Sequence, residues 1–331
     1  MKQKRLCMGC LASLLLSAFM PRVVALGPGD VLTGVGQVVA IELETDGVIV
    51  AGFAQVDTEN GSVSPGAEAG LQPGDRILAL NDRQIHDDES LLRALAESEG
   101  SVRLEIERKG SESFVELNPA LGKDGKSYLG LWLRSGISGI GTVTFQDPVT
   151  GVYGALGHGV GDEKEESLTP IRGGAIGSAA VERVVRGESG STGELVGIPA
   201  GDALGDVRQN SSRGIFGVAE VMDGARYPVA AESEIALGAA EILCTVEGTA
   251  PERYRVDITR IESGCGGRSL SLRVTDEALI EKTGGIVQGM SGSPILQNGK
   301  LVGAVTHVLV EDPRRGYGIT LESMLKACNG A

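Results

Sequence analysis

The sequence predicts a mainly β protein, and three observations support this fold class. The 331-residue chain contains 50 glycines but only 3% aromatic residues, which is typical of a chain with many tight turns. Short runs rich in Val, Ile and Leu recur between Gly, Asp, Asn and Pro residues. Beyond residue 120, only 276–282 and 321–328 have patterns typical of helices. The length is sufficient for two domains.

Residues 1–25 form an export leader in this interpretation. Three basic residues at positions 2, 4 and 5 precede an apolar run from Leu6 to Met20. Val23-Val24-Ala25 then supplies small residues for a cleavage site. The leader is predicted to be either a cleaved signal peptide or a retained membrane anchor, and in both cases the rest of the chain is exported.

Charge and cysteine content restrict the partners. The chain has a formal net charge of −14, although the leader itself is basic, and this argues against nucleic acid and anionic membrane surfaces as partners. Beyond the leader there is no CxxC motif or His-rich cluster, so neither a metal nor another cofactor is expected. Cys244 and Cys265 are predicted either to form a disulfide or to be unpaired buried thiols.

Residues 30–120 are predicted to form one unit. It begins with two β-branched runs, Val35–Leu43 and Val48–Phe53, separated by a turn signal at Thr45–Gly47. The run SPGAEAGLQPGDRILALN at 64–81 predicts a short helix, a Pro-Gly-Asp turn and a strand. Asp87 caps a second helix, and two further strands follow at 102–107 and 114–117.

The run at 64–81 resembles that of PDZ domains of the type associated with bacterial proteases. The resemblance implies that an extended peptide binds by strand addition at an open sheet edge. The implied groove involves the residues Val38, Val39, Ala40, Ile41 and Leu91. This family usually has glycine where Ala40 stands, so the prediction is edge-strand binding rather than strong capture of a terminal carboxylate.

Residues 122–126 are predicted to be a linker, and 128–331 a second domain. Its short β-like runs predict a sandwich or a barrel. The runs are 141–145, 152–156, 195–198, 215–221, 241–246, 254–261, 270–274 and 301–310.

The hexapeptide Gly289–Pro294 predicts a nucleophile for acyl transfer. Ser291 lies between Gly289 and Gly292 on a tight turn, which exposes a hydroxyl and lets backbone N–H groups converge on an oxyanion. The predicted oxyanion donors are the N–H groups of Gly289 and Ser291. Ser293 is the alternative nucleophile, but it precedes a proline and lies beyond the turn, so a structural role is favoured.

His158 is the favoured general base among the three histidines of the chain. It follows a strand-like run and has glycine on both sides, which keeps the ring accessible. His86 lies in a predicted loop, and His307 lies inside an apolar strand. The residues alone do not select the acid that would orient the base; the candidates near strands or turns are Asp147, Asp162, Asp257 and Asp276.

Several long motifs resemble the sporulation stage IV protein B peptidase family. They are GIGTVTF at 139–145, GALGHG at 154–159, TD at 275–276, KTGGIVQGMSGSPI at 282–295, AVTHV at 304–308 and GYG at 316–318. The resemblance implies a trypsin-like double β-barrel after the PDZ domain. It also implies a catalytic triad of His158 as base, Asp276 as orienting acid and Ser291 as nucleophile. In such a barrel the strand after the nucleophile pairs with substrate, which indicates Val305, Thr306 and His307.

The resemblance further implies a role in spore formation. An exported enzyme of this kind processes its own N-terminal region and cleaves a membrane-bound regulator, which leads to activation of a late sigma factor. The space between the forespore membranes is the implied location. Two alternatives are a periplasmic-type quality-control protease, which places its PDZ domain after the protease domain, and a non-catalytic PDZ adaptor.

Overall fold

The structure is a computed structural model that describes residues 25–162, 167–264 and 267–330. The predicted signal peptide or anchor and Cys265 of the predicted disulfide lie outside the described residues, apart from Ala25. Within the described ranges, no helix is both long and apolar enough to cross a membrane.

The elements of the first half, in chain order, are β1 (Val31–Gly34), β2 (Val38–Phe53), β3 (Val56–Thr58), β4 (Gly61–Val63), α1 (Pro65–Glu68), β5 (Arg76–Leu80), β6 (Arg83–Gln84), α2 (Asp88–Ala96), β7 (Val102–Arg108), β8 (Ser111–Leu117), β9 (Ala120–Leu121), β10 (Ser127–Tyr128) and β11 (Leu131–Gln146).

The elements that follow are β12 (Val152–Ala155), β13 (Gly161–Asp162), β14 (Ser167–Leu168), β15 (Ile171–Val185), β16 (Glu194–Asp206), β17 (Gln209–Ser211), β18 (Gly214–Val218), β19 (Ala225–Pro228), a 3-10 turn (Glu232–Glu234), β20 (Gly238–Cys244), β21 (Glu252–Gly264), β22 (Gly267–Val274), α3 (Glu277–Thr283), β23 (Pro294–Gln297), β24 (Lys300–Val308), β25 (Arg315–Thr320) and α4 (Leu321–Cys328).

Six strands near the C-terminus form a closed antiparallel barrel in the order β20-β21-β22-β25-β24-β23. Alternation along β22 shows why these segments become strands, since Leu270, Leu272 and Val274 are buried while their neighbours are more exposed. The buried side chains fill the barrel together with residues of other strands, including Val38 and Leu195. The barrel core therefore extends towards the rest of the fold.

The remaining large sheet is branched and is built on β2 and β11. Its longest path is β17-β18-β12-β11-β2-β5-β7-β8. β15 also pairs with β2 and with β16, while β1 pairs with β11 and with β19. A second core, which includes Val39, Val143, Tyr153 and Ile176, lies among these strands.

An inserted unit, residues 48–133, extends from this sheet. Its own core includes Val48, Ile77, Leu91 and Leu104. The structure therefore corrects the expected unit of residues 30–120: β1 and the first half of β2 pair with β11, β15 and β19, outside the inserted unit. β1 and the first half of β2 precede the inserted unit in the sequence, but they pair with strands that follow it.

The connection between the two regions is made by continuous strands. The predicted turn at Thr45–Gly47 does not reverse the chain, because β2 continues through these residues. Gly47 takes a φ of 77° and Gly136 on β11 a φ of 70°. A Cβ on Gly136 would lie 2.4 Å from the Leu43 carbonyl oxygen, so glycine is required at this crossing.

The predicted linker at 122–126 is the turn of a hairpin. The N–H of Gly122 donates to the carbonyl of Lys126 between the short paired strands β9 and β10. The predicted helices are confirmed as α3 and α4. The predicted cap is also confirmed, since the Asp87 carboxylate accepts from the N–H of Ser90 (2.7 Å) at the start of α2.

Candidate active site

Ser291 lies on a tight turn that leads into β23. Gly289 and Gly292 both have positive φ values, 94° and 95°. A Cβ on Gly292 would lie 2.0 Å from the Thr142 carbonyl oxygen, so this position requires glycine. Ser293 is fully buried and its hydroxyl donates to the Met290 carbonyl (2.7 Å). A peptide cannot reach Ser293 there, whereas Ser291 lines an open cavity.

Two threonines of β11 hold the turn. The Thr142 hydroxyl donates to the Gly289 carbonyl (2.9 Å), and the Thr142 N–H donates to the Ser291 carbonyl (2.9 Å). The Thr144 hydroxyl donates to the Gly292 carbonyl (2.7 Å). The turn precedes a strand of the closed barrel, yet its geometry is set by a strand of the larger sheet. These threonines were not predicted as site residues; their signal is the alternation in GIGTVTF.

The Ser291 hydroxyl donates to the carbonyl oxygen of Thr306 on β24 (2.6 Å). In the described part of the chain, the N–H groups of Gly289 and Ser291 make no hydrogen bond. These are the two groups predicted as oxyanion donors, and both belong to a turn whose carbonyls are held by Thr142. The turn thus presents a hydroxyl and two available donors at the same place.

His158 follows β12 after a bend at Leu156 and Gly157, both with positive φ. Its Nδ1 lies 2.8 Å from the carbonyl oxygen of Gly159. Because a carbonyl oxygen can only accept, Nδ1 is the donor in this contact. The ring centroid of His307 lies 4.7 Å from that of His158, with the planes tilted by 36°.

One cavity of about 840 Å³ brings most of the predicted site residues together. Its lining includes His158, Gly289, Ser291, Thr306 and His307. The cavity lies where the larger sheet meets the closed barrel, because its other lining residues come from β2 and β11 as well as from β24.

Val305 was predicted to bind substrate, but it is not among the described residues that line the cavity. It is completely buried in the barrel core. Its N–H donates to the Ser293 carbonyl and its carbonyl accepts from the Gly292 N–H. Its backbone therefore holds the nucleophile turn.

Asp276 caps helix α3. One carboxylate oxygen accepts from the N–H groups of Ala278 and Leu279, and the other from the N–H and Nε of Arg255. Burial raises the pKa of Asp276, but the hydrogen bonds from Arg255, Leu279 and Ala278 outweigh it and lower the pKa below the usual value. Asp276 is not among the described residues that line the cavity.

The SpoIVB peptidase S55 family model matches residues 125–325, which is more than half of the chain. The chain belongs to the SpoIVB peptidase S55 family. A PDZ domain model matches residues 61–108, within the inserted unit. No curated protein matches the chain. Among solved structures, "Crystal structure of Rv3671c protease, inactive form" is similar at 13% identity over 58% of this chain and 84% of that chain, with a TM-score of 0.35.

The residues predicted for the PDZ groove of this S55 peptidase do not lie together in the structure, since Ile41 and Leu91 line different cavities. Val39, Ala40 and Ile41 are paired on both sides, with β11 on one edge and β15 on the other, so these three residues leave no edge open for a peptide. Ile41 instead lines the cavity that contains Ser291. The predicted groove differs from the structure because β2 pairs within the peptidase sheet before it reaches the PDZ domain.

A second cavity, of about 520 Å³, lies between helix α2 and the start of β11. Leu91, which was predicted for the groove, lines it together with Leu95, Leu131 and Leu133. Tyr128, on the β9–β10 hairpin, also lines this cavity. The first residues of β11 pair with β2 on one edge only, and the other edge faces α2. The alternation in Leu131-Trp132-Leu133 is the sequence signal that marks this strand.

Proposed function

We propose that this S55 peptidase is a serine endopeptidase in which Ser291 is the nucleophile and His158 is the general base. The observation that carries the proposal is the shared cavity, which is lined by both residues and by Gly289. The two available N–H groups of the nucleophile turn support it further, because an adaptor that only binds peptides has no need for oxyanion donors.

In the proposed reaction, the Ser291 hydroxyl leaves the Thr306 carbonyl and transfers its proton to Nε2 of His158 as its oxygen attacks the peptide carbonyl carbon. The N–H groups of Gly289 and Ser291 hold the resulting oxyanion, and each such donor contributes about 3–4 kcal/mol to the transition state. His158 then protonates the departing amine, and water releases the acyl group by the same steps.

The tautomer of His158 is held by the Gly159 carbonyl in this proposal, because that oxygen contacts Nδ1. The role of Asp276 as orienting acid rests on the family resemblance alone. Its described hydrogen bonds support a different contribution, the capping of α3, which leads directly to the nucleophile turn.

For the peptidase fold we propose two barrels that meet at the active site. The second is the closed barrel, and the first consists of β2, β11, β12, β18, β16 and β15. Neighbouring strands of this set pair in that order, apart from β18 and β16. A bridge between Gly205 and Ala219 and a hydrogen bond from Glu220 to Leu204 support closure at that point.

For the cellular role we propose an exported enzyme of spore formation that cleaves a membrane-bound regulatory protein and processes its own N-terminal region. Membership in the SpoIVB family supports this role. The groove between α2 and β11 supplies a second site for an extended segment of the substrate, separate from the catalytic cavity.

The decisive experiment compares the full chain with its Ser291→Ala and Ser293→Ala variants. We expect a fluorophosphonate to label the wild type and Ser293→Ala but not Ser291→Ala, and self-processing followed by mass to show the same pattern. Ser293→Ala is the matched control because it removes a buried hydroxyl from the same turn. A full-length wild type that neither labels nor processes itself would identify a binding protein rather than an enzyme.

A further inference from the structure

We propose that the catalytic cavity selects an aliphatic side chain on the substrate residue just before the scissile bond. A pocket walled by Ile286, Val287 and Val308 receives this side chain. The inference rests on the proposed function, since it names the substrate class of the same site.

The pocket wall is formed by residues on both sides of the nucleophile. Ile286 and Val287 lie shortly before Ser291, are 2% and 1% exposed, and line the cavity. Val308 adds to the lining from β24. Gly316 on β25 packs closely against Ile286, since a Cβ there would lie 2.7 Å from Cδ1 of Ile286. The wall is thus packed, aliphatic and rigid.

The charges of the cavity lining also favour an aliphatic side chain on the substrate. None of the described lining residues is Asp, Glu, Lys or Arg, and the described titratable groups are the two histidines, His158 and His307. A charged side chain placed against Ile286, Val287 and Val308 would lose its hydration, and these three side chains supply no opposite charge. An aliphatic side chain would gain by burial.

The position of the scissile bond follows from the edge of β24. Val305 is bonded to the nucleophile turn through both its N–H and its carbonyl. One residue later, the Thr306 carbonyl accepts from the Ser291 hydroxyl, and Thr306, His307 and Val308 line the cavity. An extended peptide that adds to this edge places an N–H on the Thr306 carbonyl and releases the hydroxyl for attack. Its adjacent side chain then lies against Ile286 and Val308.

The opposite side of the cavity is also apolar. Ile41, Leu43, Ile137 and Ile140 line it from β2 and β11, and Leu156 lines it from the bend before His158. Residues flanking the scissile bond therefore also contact aliphatic surface. The substrate class that fits is an extended, uncharged, aliphatic-rich peptide segment.

The test uses the full chain and a series of fluorogenic peptides that differ only in the residue before the scissile bond. We expect kcat/KM for Val, Leu and Ile to exceed that for Lys, Arg, Asp and Glu by at least about 10-fold. Active sites are counted by fluorophosphonate labelling. A labelled enzyme that prefers a charged residue would overturn the inference and leave the proposed function intact. An enzyme that neither labels nor cleaves would overturn both.

A variant series tests the pocket itself. We expect Val308→Phe to fill the pocket and to shift the preference from Leu towards Ala by about 10-fold. The matched control is Val149→Phe, at a residue that is 88% exposed and outside the cavity, with an unchanged preference. Labelling of Ser291 shows that Val308→Phe is folded at the active site. A labelled Val308→Phe enzyme with the wild-type preference would show that Val308 does not wall the pocket.

Discussion

Thr142 shows how a single residue holds the geometry of the turn that carries Ser291. It is 1% exposed and forms two hydrogen bonds with the turn, one to the carbonyl of Gly289 and one to the carbonyl of Ser291. These two residues carry the proposed oxyanion donors. The tight turn around Ser291 could be predicted from its local glycines, but Thr142 lies 147 residues from Gly289 in the sequence, so only the folded chain brings the two together.

Replacing Thr142 with Val keeps the β-branched shape and removes the hydroxyl. We expect kcat/KM to fall about 10-fold, because the Gly289 carbonyl is no longer held and the oxyanion donors are less well oriented. The free energy of unfolding should fall by about 1 kcal/mol. Both are measured on purified protein, by peptide hydrolysis and by denaturant unfolding.

Thr245→Val is the control for this change. Thr245 is equally buried, and its hydroxyl donates to the Gly36 carbonyl (3.1 Å), away from the turn. The Thr245→Val variant should lose a similar free energy of unfolding and keep its kcat/KM. Equal losses of kcat/KM in the two variants would mean that the effect of Thr142 is not specific to the turn.

Helix α3 is the element that links the closed barrel to the nucleophile turn. It begins at the Asp276 cap and ends at Gly284, which has a φ of 81° and is followed by the segment 285–291. The helix was predicted correctly because cap and apolar residues are close in sequence. The relation of Asp276 to His158 depends instead on how distant elements pack, and the orienting role stays a prediction from the family resemblance.

Replacing Asp276 with Ala should lower the free energy of unfolding by about 1 kcal/mol through loss of the cap, whereas Asn, whose single amide oxygen can still accept from the N–H groups of α3, should restore part of it. Hydrogen bonds lower the pKa of Asp276 in the folded state below its ordinary value of 3.8. The ionised carboxylate therefore stabilises the fold at pH values above 3.8. This contribution is lost as the pH falls through the lower, folded-state pKa. Denaturant unfolding at several pH values measures both effects.

The outcome that contradicts the capping role is an Asn variant as unstable as the Ala variant. The kcat of the folded Asn variant, measured separately, reports on the orienting role that the resemblance assigns, because an amide cannot stabilise the imidazolium as a carboxylate does.

In the whole molecule, the PDZ domain is inserted within the peptidase rather than attached before it. β2 and β11 enter and leave it as a paired ribbon, and the same two strands line the catalytic cavity further along. The order of the two domains in the sequence does not reveal this arrangement, because a short strand before the PDZ domain has the same local pattern whether it pairs with that domain or with the peptidase.

Excision of the PDZ domain tests the insertion. Val48 and Ser135 are register partners, so replacing residues 49–134 with an Asn-Gly turn should leave a hairpin that preserves the sheet. We expect this variant to be labelled by a fluorophosphonate at Ser291. Deleting residues 1–120 should abolish labelling, because it removes β1 and β2 from the peptidase. Labelling of the second variant but not the first would contradict the insertion.

The sequence by itself determined the features that depend on neighbouring residues: the mainly β character, the caps and helices, the tight turn at Ser291, and a histidine that lines the same cavity as Ser291. Tertiary structure alone decided which strands pair across the chain, and hence the Thr142 contacts, the two paired edges of Val39, Ala40 and Ile41, and the position of the cavity between α2 and β11. The physical reason is that turn and cap energies are local, whereas strand pairing depends on burial and register between segments far apart in sequence.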